Sequence, residues 1–162
     1  MMPLTPIRLR RMTHADLPQV EALDRLCFSD PWPPGSFAYE LRPDSASICL
    51  VAESSAESGQ SRLVGNVVVW LAAEEAQVAT LAVAPVFRGR GIARALLAAA
   101  LLEAWQLGAR KSLLEVRVSN ESALHLYYGM GYQAVGLRPG YYQDTREDAL
   151  LELVRHRLGG LG

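Results

Sequence analysis

Apolar and polar positions along this chain repeat with two different periods, and the switches between them outline its elements. Ile7–Arg10 alternates and predicts a first strand. Leu17, Val20, Leu23 and Cys27 then recur at helical spacing, so an amphipathic helix is expected over residues 15–27. Thr13-His14-Ala15-Asp16 supplies its capping-box-like start, with Asp16 in the first turn where the helix dipole favours an acid. Pro31, Pro33 and Pro34 around Trp32 stop regular structure, and Pro34 suits the first position of a short helix through Phe37 and Leu41. Ser47–Glu53 and Leu63–Ala72 read as strands joined by a polar, mobile hairpin loop, and Glu74-Glu75 turns into a central strand.

That strand, Val78–Val83, is apolar but for Thr80, and Pro85 ends it because proline cannot donate to a sheet ladder. Arg88-Gly89-Arg90-Gly91-Ile92-Ala93 follows, and then a helix of strong formers that Gly108 terminates. Ser112–Val118 is a further strand, with Leu113, Glu115 and Arg117 on one face and Leu114, Val116 and Val118 on the other. Ser119-Asn120 caps a helix from Glu121 to Tyr128, closed by Gly129 and Gly131. Strands at Tyr132–Leu137 and Asp148–Val154, with a Pro139-Gly140 turn between, complete a mixed α/β pattern.

Length and composition narrow the classes. A chain of 162 residues, half of them hydrophobic and 20% charged, is expected to form one globular domain over residues 1–162. The net charge of -1 gives no basic field for nucleic acid, and no apolar run reaches the roughly 18 residues of a membrane span. The N-terminus lacks the apolar stretch of a signal peptide. Cys27 and Cys49 make no disulfide framework, and His14, His125 and His156 show no metal-ligand spacing with them. A soluble cytoplasmic monomer without a metal is the expectation.

The candidate chemistry begins at the glycine turn. Strand, glycine-rich turn and helix N-terminus together aim consecutive backbone N–H groups at an anion, and the arginines attract the same charge. The turn lacks the Gly-Lys-Ser/Thr ending of a P-loop, and no glycine follows Gly91 until Gly108, which fails the dinucleotide fingerprint. Glu115 reads either as half of a solvated pair with Arg117 or as a carboxylate beside a substrate amine. Asn120 and Tyr127 lie seven apart, on one face of a helix and about 10.5 Å along its axis. They read either as two contacts of one extended, amide-bearing ligand arm or as a helix cap and a core tyrosine, and for Asn120 the two roles are compatible. The Pro31–Phe37 loop either covers the core or shapes a binding wall.

Arg88, Gly91 and Ala93, following a strand that ends Leu81-Ala82-Val83, fit the Arg/Gln-x-x-Gly-x-Gly/Ala pattern and resemble the acetyl-CoA loop of the GCN5-related N-acetyltransferases (GNAT). Leu114–Asn120 (LEVRVSN), Ala123 to Tyr132, Tyr141-Tyr142 and Arg146–Ala149 (REDA) resemble more narrowly the RimI subfamily. Its members acetylate the N-terminal alanine of the eighteenth small-subunit ribosomal protein. The Pro31-Trp32 loop with Phe37 and Glu40-Leu41 matches the same signature, so the resemblance spans nearly the whole chain. It implies a mixed sheet of about seven strands flanked by about four helices.

By position, the resemblance makes Glu115 the general base and Tyr127 the general acid. Leu81, Ala82 and Val83 match the strand that pairs with the cofactor arm. Arg88, Gly89, Arg90, Gly91, Ile92, Ala93 and Arg94 match the pyrophosphate loop, and Asn120 a pantetheine contact. Trp32, Phe37, Tyr141 and Tyr142 are the implied acceptor contacts, and a ribosomal protein N-terminus the implied partner. Three departures fall near the acceptor: Pro33-Pro34-Gly35, Thr80, and the short segment from Tyr142 to Arg146. An α-amine of pKa about 7.7–8.0 is roughly a tenth neutral at pH 7, lysine far less, so an N-terminal acceptor asks less of the base. Acetylation of a small amine, and a catalytically silent acetyl-CoA-binding module, are the competing functions.

Overall fold

The computed structural model describes residues 6–55 and 59–156. The centre of the polar hairpin loop, residues 56–58, lies outside them, as do both chain ends. Within the described residues seven strands form one sheet: β1 (Ile7–Arg11), β2 (Ser47–Ser55), β3 (Ser61–Ala72), β4 (Glu75–Val83), β5 (Lys111–Arg117), β6 (Gln133–Arg138) and β7 (Ala149–Arg155). Their order is β1-β2-β3-β4-β5-β7-β6. Every neighbouring pair is antiparallel except β4 and β5, which the crossover through a helix makes parallel. Four α-helices accompany them: α1 (Leu17–Cys27), α2 (Ser36–Glu40), α3 (Ile92–Gln106) and α4 (Glu121–Gly129). None is long and apolar enough to cross a membrane. The expected mixed α/β class, with about seven strands and four helices, is what the fold displays.

The two faces of the sheet carry separate cores. Val64, Val67, Val69, Leu114 and Val116 meet α3 through Ile92, Leu96, Leu97 and Leu101, and meet α4 through Tyr127. Full burial of such a side chain contributes about 1.5–3 kcal/mol. Gly65 allows this approach, because a Cβ there would stand 3.0 Å from both the Ala82 carbonyl and Leu96. On the opposite face Val20 of α1 and Phe37 of α2 pack on Met12, Val51 and Val68. Arg10, one residue before the end of β1, holds Asp16 through two 2.8 Å bonds, and Asp16 also accepts from the Thr13 N–H. The capping interaction read from the sequence therefore fixes a single 3-10 turn, His14–Asp16, that leads into α1.

Most element boundaries lie within two residues of expectation, and two differences bear on the site. β4 starts at Glu75 rather than Val78. Pro34 does not open α2. Pro34-Gly35 instead form the centre of a turn whose Ser36 N–H bonds Pro33 O at 3.2 Å. Gly35 has φ 87 and ψ -7, the glycine geometry of a type II turn. The helix then begins at Ser36.

An irregularity in β4 opens the sheet. β4 and β5 pair only at Glu75–Lys111, Ala76–Ser112 and Gln77–Leu113. Just beyond, β3 meets Val78 with Val69 but Thr80 with Val68, so Ala79 is bulged. A bulge bends and twists its strand. From there β4 and β5 diverge, leaving Val78–Val83 without a strand partner on the β5 side.

Candidate active site

The diverging strands leave a notch, and the predicted residues gather around it. On the β4 wall, Ala82 and Val83 bury their side chains in opposite cores, and Leu81 packs beside the α3 core. The backbone of this segment, unpaired on the β5 side, borders the notch. An extended, amide-bearing molecule is the natural partner for such an edge.

Where β4 ends, the chain turns into α3. Gly89 and Gly91 have φ of 80 and 78, and a Cβ on either would meet nothing within 4 Å. The left-handed backbone, not crowding by neighbours, is what calls for glycine here. The Ala95 N–H is bonded to Gly91 O at 3.0 Å, so the N–H groups of residues 92–94 stand free at the start of α3. Arg88, Arg90 and Arg94 are exposed and have no acidic partner among the described residues. Arg88 is braced by its Nε bond to Val83 O at 3.0 Å, and Arg90 lies 4.9 Å from the Phe87 ring. Free N–H groups, a helix N-terminus and unpaired guanidinium groups fit a polyanion such as a pyrophosphate.

The β5 wall carries the ionisable groups. Burial alternates along the strand, with Ser112, Leu114 and Val116 inward and Leu113, Glu115 and Arg117 on the other face, as the period-two pattern predicts. The neighbour pair of Glu115 with Arg117, one of its two readings, is not formed among the described residues. Glu115 pairs with Arg138 of β6 at 3.4 Å, while Arg117 is held by Asp144 at 2.9 Å and Glu147 at 3.7 Å. The Glu115 side chain is 17% exposed. Tyr141 stands beside it: the Glu115 carboxylate, as hydrogen-bond acceptor, holds the Tyr141 hydroxyl above its ordinary pKa, with burial adding to the rise.

Tyr127 lies on the other side, on α4, buried at 9% and edge-on to Tyr132 at 5.7 Å. Burial is the first cause that raises its pKa, and the charges that Tyr132, Glu152 and Tyr142 would carry reinforce it. Tyr127 therefore keeps its proton across the ordinary range. Asn120 caps α4, accepting from the Ala123 N–H at 3.2 Å and the Ser122 hydroxyl at 3.3 Å. Its amide NH2 remains available.

Two loops roof this face. Trp32 is pinned by its N–H bond to Asp24 Oδ2 at 2.7 Å and stacks on Phe37 at 4.7 Å. Tyr141 and Tyr142 meet edge-to-face at 5.1 Å, and Arg117 sits 4.0 Å over the Tyr142 ring. Asp144 joins the loops by accepting from the Ser29 hydroxyl at 2.5 Å. Phe37 departs from the predicted role as an acceptor contact: it is 2% exposed and lies beneath Trp32, where it backs that ring instead of offering a surface. The short Tyr142–Arg146 segment closes on itself, with Arg146 N–H on Tyr142 O at 2.7 Å.

Sequence reasoning missed several residues of this constellation. Asp24 was legible in principle, since 20, 24 and 27 share a helical face and an acid there must find a partner. Arg138, Ser29 and Asp144 carry no local signal, because only the fold brings them together. Nor did the sequence flag Asn66 and Glu152, buried at 1% and 5%, whose side chains hold polar atoms with no partner among the described residues.

Known proteins resemble this chain over most of its length. The sequence profile of the Acetyltransferase (GNAT) family matches residues 17–132. The putative [ribosomal protein bS18]-alanine N-acetyltransferase of Bacillus subtilis is 33% identical over 150 residues, covering 93% of this chain and 96% of that one. The N-alpha-acetyltransferase RimI of Mycobacterium tuberculosis is 36% identical, covering 89% of each. Among solved structures, the ribosomal-protein-S18-alanine N-acetyltransferase of Escherichia coli superposes with a TM-score of 0.82 at 24% identity, over 96% of this chain and 97% of that one.

Proposed function

We propose that this chain, which belongs to the GNAT acetyltransferase family, acts as one domain that acetylates the N-terminal α-amine of a protein, with the N-terminal alanine of ribosomal protein bS18 as the leading acceptor. The observation that carries the reading is Glu115, a carboxylate facing the notch beneath two linked aromatic loops. The names of the relatives from B. subtilis and M. tuberculosis point to the same acceptor class. When bound, acetyl-CoA supplies the acetyl thioester. The free N–H groups at residues 92–94 and the guanidinium groups of Arg88, Arg90 and Arg94 suit its pyrophosphate, and the unpaired β4 edge its amide-bearing arm.

In this reading Glu115, directly or through a water, takes the proton from the acceptor amine, and Arg138 balances the charge it carries while waiting. A backbone N–H of Leu81–Val83, freed by the bulge at Ala79, donates to the carbonyl oxygen as negative charge develops there. Tyr127 serves the departing sulfur. Its raised pKa lies well above a thiol's, about 8.5, so complete proton transfer is uphill. Tyr127 therefore acts first as a hydrogen-bond donor to the developing thiolate. The raised value keeps that donor protonated wherever the amine is reactive.

Acetyl-CoA turnover against a panel tests the assignment. The panel holds an Ala-Arg-Tyr-starting peptide, its N-blocked form with an internal lysine, unrelated N-termini and small amines. Preference for the free alanine terminus is the expected result. A broad response to N-termini keeps the chemistry but not the narrow acceptor, and turnover of small amines alone rejects the reading.

A further inference from the structure

An open cavity of about 430 Å³ lies outside the notch, walled by Trp32, Pro33, Pro34, Tyr39 and Trp70, with Glu40 as its only charged lining residue. Trp32 and Trp70 stack at 6.1 Å with planes 19° apart, and Phe37 supports Trp32 from behind. Trp70 and Tyr39 are 42% and 59% exposed, so both rings present surface to an incoming side chain. Glu40 is oriented by a hydrogen bond from the Ser47 hydroxyl. Ring faces attract cations, and Glu40, on the wall that this cavity shares with a neighbouring cleft lined by Arg11, Arg42 and Ser47, is the acid nearest to them. The neighbouring Arg42 already uses this chemistry: its guanidinium lies 3.5 Å from the centre of the Tyr39 ring, outside the cavity wall.

The sheet places this cavity relative to Glu115. Trp70 is in register with Gln77, and Gln77 with Leu113, so the three form one row on one face. Glu115 follows two residues after Leu113 on the same face of β5. Two strand spacings and two residues of rise put the cavity about 12 Å from Glu115. An extended chain advances about 3.3–3.6 Å per residue. A peptide whose first amine meets Glu115 thus brings the side chain of its third, fourth or fifth residue to Trp32 and Trp70.

We infer that Trp32, Tyr39, Trp70 and Glu40 form a subsite for a lysine or arginine side chain of the acceptor, three to five residues from its acetylated end. The inference rests on the N-terminal acceptor reading and adds to it a preference for basic sequence downstream.

The test uses alanine-starting peptides carrying one arginine at position 3, 4 or 5, each matched to a citrulline peptide that keeps shape and loses charge. The wild-type protein is expected to show a KM at least fivefold lower for the arginine member at one position, with the gap narrowing as salt is added. In Trp70→Leu and in Glu40→Gln the two members should converge. Circular dichroism confirms that each variant folds. Equal KM values in wild type at all three positions, or a preference that survives both substitutions, overturn the subsite while leaving N-terminal acetylation standing. Turnover of none of these peptides, with small amines accepted, overturns both.

Discussion

The two sides of the notch are made of different materials. The side suited to acetyl-CoA is mainly backbone: an unpaired strand edge, two glycines with positive φ, and the first N–H groups of α3, with the guanidinium groups of Arg88, Arg90 and Arg94 added around them. The side suited to the acceptor is side chains, drawn from the 28–35 loop, β5, β6 and the loop before β7. A backbone site binds what every donor molecule shares, a phosphate and an amide-bearing arm. A side-chain site can change its partner by substitution without disturbing the fold. The division lets one scaffold keep a fixed donor and vary its acceptor.

Substitutions on opposite sides should therefore separate cleanly in kinetics. Glu115→Gln should have the largest effect, lowering kcat by about 10²–10³-fold with a changed pH–rate profile, while acetyl-CoA affinity stays within about twofold. Single-turnover rates with isothermal titration of acetyl-CoA check this. Loss of acetyl-CoA binding in the same variant would dissolve the division. Gly91→Ala comes next and acts in the reverse sense. The new Cβ has open space but must sit at φ 78, at a cost of about 1–2 kcal/mol. That corresponds to roughly a tenfold rise in KM for acetyl-CoA, with acceptor KM nearly constant.

The same division explains what could be read from the sequence. The donor side lies in one continuous segment, Leu81 to Arg94, and its devices are local: proline after a strand, glycines in a turn, a helix that follows. Period-two alternation placed Glu115 on the correct face, and the turn before α4 placed Asn120 at a cap. The acceptor side resisted. Nothing near Glu115 announces Arg138 as its partner, and Arg117, the neighbour that pattern suggests, is taken by Asp144 and Glu147. Phe37 is an aromatic in the matching motif position whose side chain is buried, on a helix that begins two residues later than the proline implied. Trp70 was hidden directly after the buried run Leu63–Val69 of the same strand.

A smaller effect lies beneath Tyr127. Glu152 sits between Leu114 and Ala134 in the sheet, 5% exposed, with one carboxylate oxygen unpartnered, and burial raises its pKa. Below the unfolded pKa of about 4.3 both states are protonated and the burial costs little. As pH rises past that value the unfolded state loses its proton more readily, so stability falls until the folded pKa is passed. Glu152→Met should therefore raise stability at pH 7 by about 1 kcal/mol. Urea midpoints should also lose their decline between about pH 4.3 and 7. A stability loss at both pH values would mean the carboxylate has a partner that the packing hides.

The smallest effect is the most direct probe of whether the acceptor side is a unit. Asp144 receives the Ser29 hydroxyl and the Arg117 guanidinium, linking the loop that carries Trp32 to the loop that carries Tyr141 and Tyr142. All three contacts are exposed, where such bonds contribute little to stability. Their importance would lie in holding two aromatic walls at a fixed separation, which a peptide feels and the bound donor does not. Asp144→Ala should leave the melting temperature within about 1–2 °C. It should raise the peptide KM about threefold while acetyl-CoA KM stays constant, and Ser29→Ala should reproduce part of that rise. A parallel change in both Michaelis constants would show that the loops report to the β4–β5 notch after all. The split between a backbone-built donor site and a side-chain-built acceptor site would then describe where the residues lie, but not how they act.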